Sequence, residues 1–212
     1  MGGMERLVAR ISELRRSPVS KVIEVRMGEF AQKGREGGNS IFLELCFCLL
    51  TANYTSEGGM RMQTEIGDGF LHLPQHALAR RLKSLGYRFP NARARYITEA
   101  RKHLPIRALL GRFPDSQSLR EHVADTVLGL GFKESSHFLR NIGYTDLAII
   151  DFHILDILVE YGLIEKPNSN SLSRKKYLEI EGVLAEVCRR AGLSQGELDL
   201  YLWYLETGKI LK

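Results

Sequence analysis

At 212 residues, with 44% hydrophobic and 26% charged residues and only six prolines, the chain can bury a sizeable core, which excludes a disordered segment or a bare linker. Its formal charge of +5 favours an anionic partner, while three cysteines supply neither a disulfide framework nor a four-ligand zinc or iron–sulfur site, so no metal or other cofactor is expected. The longest apolar stretch, residues 41–52, contains Glu44 and is too short to cross a bilayer, and no secretory signal opens the chain; the reading is an intracellular protein without membrane association.

Apolar residues recur at intervals of three and four, and strand-like alternation between hairpin turns is scarce, so the expected fold is all-α. In chain order the pattern predicts helices over 5–14, 19–32, 40–52, 57–66, 74–85 and 91–103. Pro18, Pro74, Pro90, Pro105 and Pro114 punctuate this half where a proline opens a helix or ends the one before it. The second half predicts helices over 116–127, 133–142, 152–161, 173–191 and 194–206. Asp115, Ser116 and Ser194 are candidate caps, and Glu197 three residues after Ser194 completes a capping-box pattern. A polar loop over 165–173 is a candidate divider between two lobes of one helical domain.

Between residues 80 and 112 ten arginines and lysines are opposed only by Glu99, and Tyr87, Phe89 and Tyr96 are interleaved with them. A solvated helix face accounts for such a run, as does a surface that meets phosphates and bases together. The stretch Leu128-Gly129-Leu130-Gly131-Phe132-Lys133 lies between two helical segments, so a helix-hairpin-helix is read over about 116–142. Its two glycines permit a tight turn that exposes backbone amides at a helix start, and such a turn grips a phosphate backbone without reading sequence. Taken alone the spacing also fits a plain interhelical turn.

Lys133 opens the following helix, and an apolar run Ile149-Ile150 later ends in Asp151-Phe152-His153, so Lys133 and Asp151 are candidates to share one cleft. A lysine amine attacks carbon only when deprotonated, so its ordinary pKa of about 10.4 must be lowered or its proton removed by a neighbour. Taken singly, Lys133 also reads as a solvated first-turn lysine and Asp151 as a helix cap.

Together these residues resemble the helix-hairpin-helix DNA glycosylase superfamily, in which Gly-x-Gly-x-Lys is followed by an apolar run ending in Asp-x-His. Leu49-Leu50-Thr51-Ala52-Asn53-Tyr54, Gly86-Tyr87-Arg88-Phe89 and the ending Trp203-Tyr204-Leu205-Glu206-Thr207-Gly208-Lys209-Ile210-Leu211-Lys212 resemble the type 2 8-oxoguanine DNA glycosylase/lyase family, from about residue 40 to the end. The resemblance implies two helical lobes around a DNA-binding cleft, and double-stranded DNA containing 8-oxoguanine or abasic sites as partner. Lys133 would attack C1′ of the extruded nucleotide, with β-elimination following. Asp151 would take the lysine proton or stabilise positive charge on the sugar. Gly129 and Gly131 would grip the strand, and His153 a flanking phosphate. Trp203 and Phe89 would sandwich the purine and Lys212 take part in recognising it, while Asn53, Tyr87, Arg88 and Arg93 are candidates to fill the vacated space or face the orphaned base. The protein is expected to act as a monomer.

Two other readings stand beside this one. Sibling glycosylases for oxidised pyrimidines or mismatched adenine usually carry a four-cysteine iron–sulfur cluster, which three cysteines cannot build. A DNA-binding module without chemistry needs the hairpin and basic segment but neither Lys133 nor Asp151.

Overall fold

The computed structural model describes residues 2–169 and 172–212. Among these the chain is all-helical: α1 Gly3–Arg15, α2 Val19–Lys33, α3 Gly38–Thr51, α4 Ser56–Ile66, α5 Gly69–His72, α6 Gln75–Ser84, α7 Pro90–Ala100, a 3₁₀ turn Arg101–His103, α8 Ile106–Leu110, α9 Ser116–Thr126, α10 Phe132–Asn141, α11 Phe152–Glu160, α12 Arg174–Ala191 and α13 Gln195–Thr207. Every helix read from the periodicity is present. The two that were not, α5 and α8, span four and five residues, too few to show a helical period. The helix expected over 91–103 tightens after Ala100 into the 3₁₀ turn.

The chain forms two compact units, one of residues 1–31 and 143–212, the other of residues 32–142. The second unit is built around α3, whose residues from Ile41 to Thr51 are buried with the single exception of Leu43. α4, α5, α7, α8 and α10 all pack on it, which is why this helix is apolar on every face. Glu44, the one acid in that run, is 2% exposed and accepts the Asn141 side-chain amide at 2.7 Å, and Asn141 in turn accepts the Arg140 guanidinium at 2.9 Å. A buried charge placed in such a network is held by its partners rather than by solvent.

In the first unit α1 packs on α12 and α13, and α11 on α13. Ser194 caps α13 through the reciprocal bonds expected of it with Glu197, and Gly192 and Gly208, both left-handed, end α12 and α13. Asp115 caps α9, whereas Ser116 is the buried first residue of that helix. The polar loop before α12 joins two helices of the same unit, so it does not divide lobes. The chain changes unit instead at residues 31/32 and 142/143. Residues 170–171 of that loop lie outside the described residues.

Candidate active site and nucleic-acid interface

Asp115 starts the hairpin by accepting the Ser118 N–H at 2.7 Å, and α9 runs to Thr126. At the turn Gly129 has φ +93°, and a Cβ placed there would fall 2.4 Å from the Tyr96 ring. Two separate constraints, backbone sign and close approach, therefore require glycine. Leu130 is buried beneath the turn while Leu128 is 45% exposed at its tip. Gly131 precedes α10 with no side-chain cap, leaving the first-turn amides of that helix to other acceptors. Beneath the hairpin the fully buried Arg120 places its guanidinium 4.7 Å from the Phe132 ring centroid.

Lys133 is the second residue of α10. Its ammonium lies 3.5 Å from the Glu134 carboxylate, with the two side chains 31% and 18% exposed. The amine is thus half-buried and next to a carboxylate on its own helix.

In the same unit, Asn53 is the only non-glycine residue with positive φ among the described residues, at +60°. The turn it forms is fastened from below: the Tyr87 hydroxyl donates to the Leu50 carbonyl at 2.6 Å, and Arg93 donates to the Ala52 carbonyl and, at 3.3 Å, to the Tyr87 oxygen. Tyr87 and Arg93, candidates with Asn53 and Arg88 to fill the vacated space or face the orphaned base, are 4% and 6% exposed. Burial pushes the Tyr87 phenol up from its usual pKa. Tyr87 and Arg93 hold Asn53 out, and Asn53 itself is exposed. Arg88 is exposed and stacks its guanidinium 4.9 Å over the ring of Phe89, itself 37% exposed.

In the first unit Asp151 caps α11, its Oδ1 accepting the Ile154 N–H at 3.0 Å. That bond leaves the second carboxylate oxygen disengaged from the helix. The apolar run leading to Asp151 is fixed by α12: the Tyr177 hydroxyl donates to the Ala148 carbonyl at 2.8 Å and accepts the Ile150 N–H at 3.2 Å, and Glu181 accepts the Ala148 N–H at 2.8 Å. Sequence reasoning missed both residues, since nothing in a helical pattern shows that a tyrosine and a glutamate one turn apart hold a distant strand-like segment.

His153, two residues after Asp151, is clamped between elements. Its Nδ1 is 3.5 Å from Glu206 and its ring meets Trp203 edge-on, with centroids 4.8 Å apart, while the exposed Phe152 lies against it at 3.9 Å. Trp203 is half-buried, and its indole N–H has no hydrogen-bond partner among the described residues. Beyond α13 the tail residues Ile210, Leu211 and Lys212 are each half-buried.

One unit thus carries an amine in a helix first turn beside a glycine hairpin, and the other a capping aspartate followed by a clamped histidine. The sequence model of the family described as 8-oxoguanine DNA glycosylase matches residues 23–193. The chain belongs to that family. This 8-oxoguanine DNA glycosylase family member is 50% identical over 211 residues to the 8-oxoguanine DNA glycosylase/AP lyase of Korarchaeum cryptofilum, a match covering 99% of this chain and all of that one. It is 44% identical to the corresponding enzyme of Thermotoga maritima, again over 99% of this chain. Its fold superposes on the crystal structure of the Methanocaldococcus jannaschii 8-oxoguanine DNA glycosylase with a TM-score of 0.94 at 48% identity, over 98% of this chain and 97% of that one. The latter protein is also known in complex with a 15mer DNA containing 8-oxoguanine, a structure that gives the same TM-score. These matches extend the family pattern into the first forty residues, which the sequence motifs had left out. The reason is visible in the glycosylase's first unit, where α1 packs against the motif-bearing α13.

Proposed function

We propose that the chain is a bifunctional DNA repair enzyme, which excises 8-oxoguanine from double-stranded DNA and cleaves the strand at the resulting abasic site. The observation that carries this reading is Lys133 in the first turn of α10, directly after the glycine hairpin, in a chain about half identical to enzymes with this activity. The Lys133 amine forms a bond to C1′ as the bond from C1′ to the base nitrogen breaks; the base leaves with that electron pair and is protonated. Loss of the amine proton and opening of the sugar give an imine, removal of a C2′ proton follows, and the 3′ phosphate departs by β-elimination. Asp151 accepts the amine proton or stabilises positive charge on the sugar.

Extruding the base costs roughly a few kcal/mol, which phosphate contacts and aromatic faces offset. Phe89 and Trp203 each offer such a face, and Lys212 a fixed charge to read the purine. Asn53 and Arg88 are the exposed groups assigned to the space the base vacates. The Gly129–Gly131 turn and His153 take flanking phosphates. The enzyme acts as a monomer, inside the cell and on the nucleoid.

Borohydride trapping tests this reading with duplex DNA containing 8-oxoguanine. Wild type is expected to give a covalent adduct and Lys133→Gln none. An undiminished adduct in the variant overturns the nucleophile, and intact 8-oxoguanine after prolonged incubation with wild type overturns the substrate.

A further inference from the structure

Arg95 belongs to none of the roles above, yet its surroundings set it apart from the other basic residues of its segment. Its guanidinium lies 5.3 Å from the centroid of the Tyr96 ring. That same ring packs on the hairpin turn so closely that a Cβ on Gly129 would meet it at 2.4 Å. Tyr96 is therefore a wall shared by the hairpin and the Arg95 cation. Arg93 also lies 5.3 Å from this ring, but it is buried and donates to Ala52 and Tyr87, so its charge faces inward. Arg95 is exposed and, among the described residues, has no carboxylate within ion-pair distance.

An exposed arginine whose guanidinium lies over an aromatic ring, with no ion pair among the described residues, is preorganised for a phosphate oxygen. It stands one ring away from the turn, near enough for a strand gripped at the hairpin to bring a neighbouring phosphate to it. We propose that Arg95, carried on Tyr96, forms a second phosphate subsite of the hairpin, gripping the DNA backbone without reading bases. The proposal rests on the DNA-directed reading above.

The test is the salt dependence of binding to a duplex carrying a stable abasic-site analogue, for wild type, Arg95→Gln, Arg95→Lys and Tyr96→Leu, with Arg10→Gln as a variant losing an exposed charge already paired with Glu13 on α1. Arg95→Gln is expected to lower the slope of log affinity against log salt by about one and to weaken binding equally on all sequences. Arg95→Lys should keep the slope, Tyr96→Leu should lose much of it, and Arg10→Gln should leave it unchanged. A wild-type slope in Arg95→Gln, or an equal loss in Arg10→Gln, overturns the subsite. If wild type itself neither binds the analogue nor excises 8-oxoguanine, it is the reading of function that fails.

Discussion

Asp151 caps α11 with one carboxylate oxygen, so replacing it probes fold and chemistry together. Asparagine caps a helix about as well as aspartate does, so Asp151→Asn should keep the melting temperature and DNA affinity of wild type. Single-turnover excision should slow by roughly 10²–10⁴-fold, the span usual for a proton-transfer group; full activity would remove Asp151 from the reaction. Tyr177 acts one step further back. Tyr177→Phe removes the acceptor of the Ile150 N–H and the donor to the Ala148 carbonyl, so stability should fall by about 1–3 kcal/mol. Thermal denaturation measures the loss, and excision should slow more than binding weakens because the segment ahead of Asp151 is freed. At this scale the places of Lys133 in a helix first turn and of Asp151 as a helix cap were legible because their spacing to glycines and to His153 is written in the chain. That Tyr87 and Arg93 fasten the Asn53 turn through its carbonyls was not legible, because sequence shows aromatic and cationic character but not burial.

The 3₁₀ turn Arg101–His103 ties one element to the hairpin, since His103 Nε2 lies 3.3 Å from the Thr126 carbonyl at the end of α9. Burial first, and then the charges of Lys102 and His122, push the His103 imidazole below its usual value of 6.5, with the Thr126 bond opposing them. The unfolded chain therefore takes up this proton before the folded one does. The contribution is complete above pH 6.5 and is lost as pH falls from there towards the depressed folded value. Melting temperature should decline on acidification through that range, and His103→Asn should make the decline shallower; an unchanged profile would sever this link. The tail beyond α13 allows a different measurement. Deleting Ile210, Leu211 and Lys212 should impair base excision more than cleavage of preformed abasic sites, and equal losses would mean that the tail serves folding alone. The long helices were readable because each shows two or more turns of apolar period, and the Ser194–Glu197 box because its chemistry is local. α5 and α8 were not, since four or five residues hold little more than one turn.

For the whole molecule the net charge of +5 sets the sign of the partner, but the fold decides how much of the basic segment faces it. Of its ten cations, Arg81, Arg93, Arg101 and Arg107 donate to carbonyls of their own unit, at Glu65, at Ala52, at Phe70, and at Gly34 and Glu36 respectively. The other six are exposed and make no such bond among the described residues. If about six phosphates are neutralised, affinity for an abasic duplex should fall roughly a thousandfold between about 50 and 200 mM salt. Fluorescence anisotropy across that range measures it, and a flat dependence would mean that the segment is only a solvated face. The sequence by itself determined the helical class, the hairpin turn and the helix-start positions of Lys133 and Asp151, because periodicity, glycine and short spacings are local properties that survive without contacts. Only the tertiary structure decided which arginines stay free, that the chain divides at residues 31/32 and 142/143 rather than at its polar loop, and that Tyr96 joins Arg95 to Gly129. These depend on burial and on packing between segments far apart in the chain, and packing assigns a side chain its neighbours regardless of its place in the sequence.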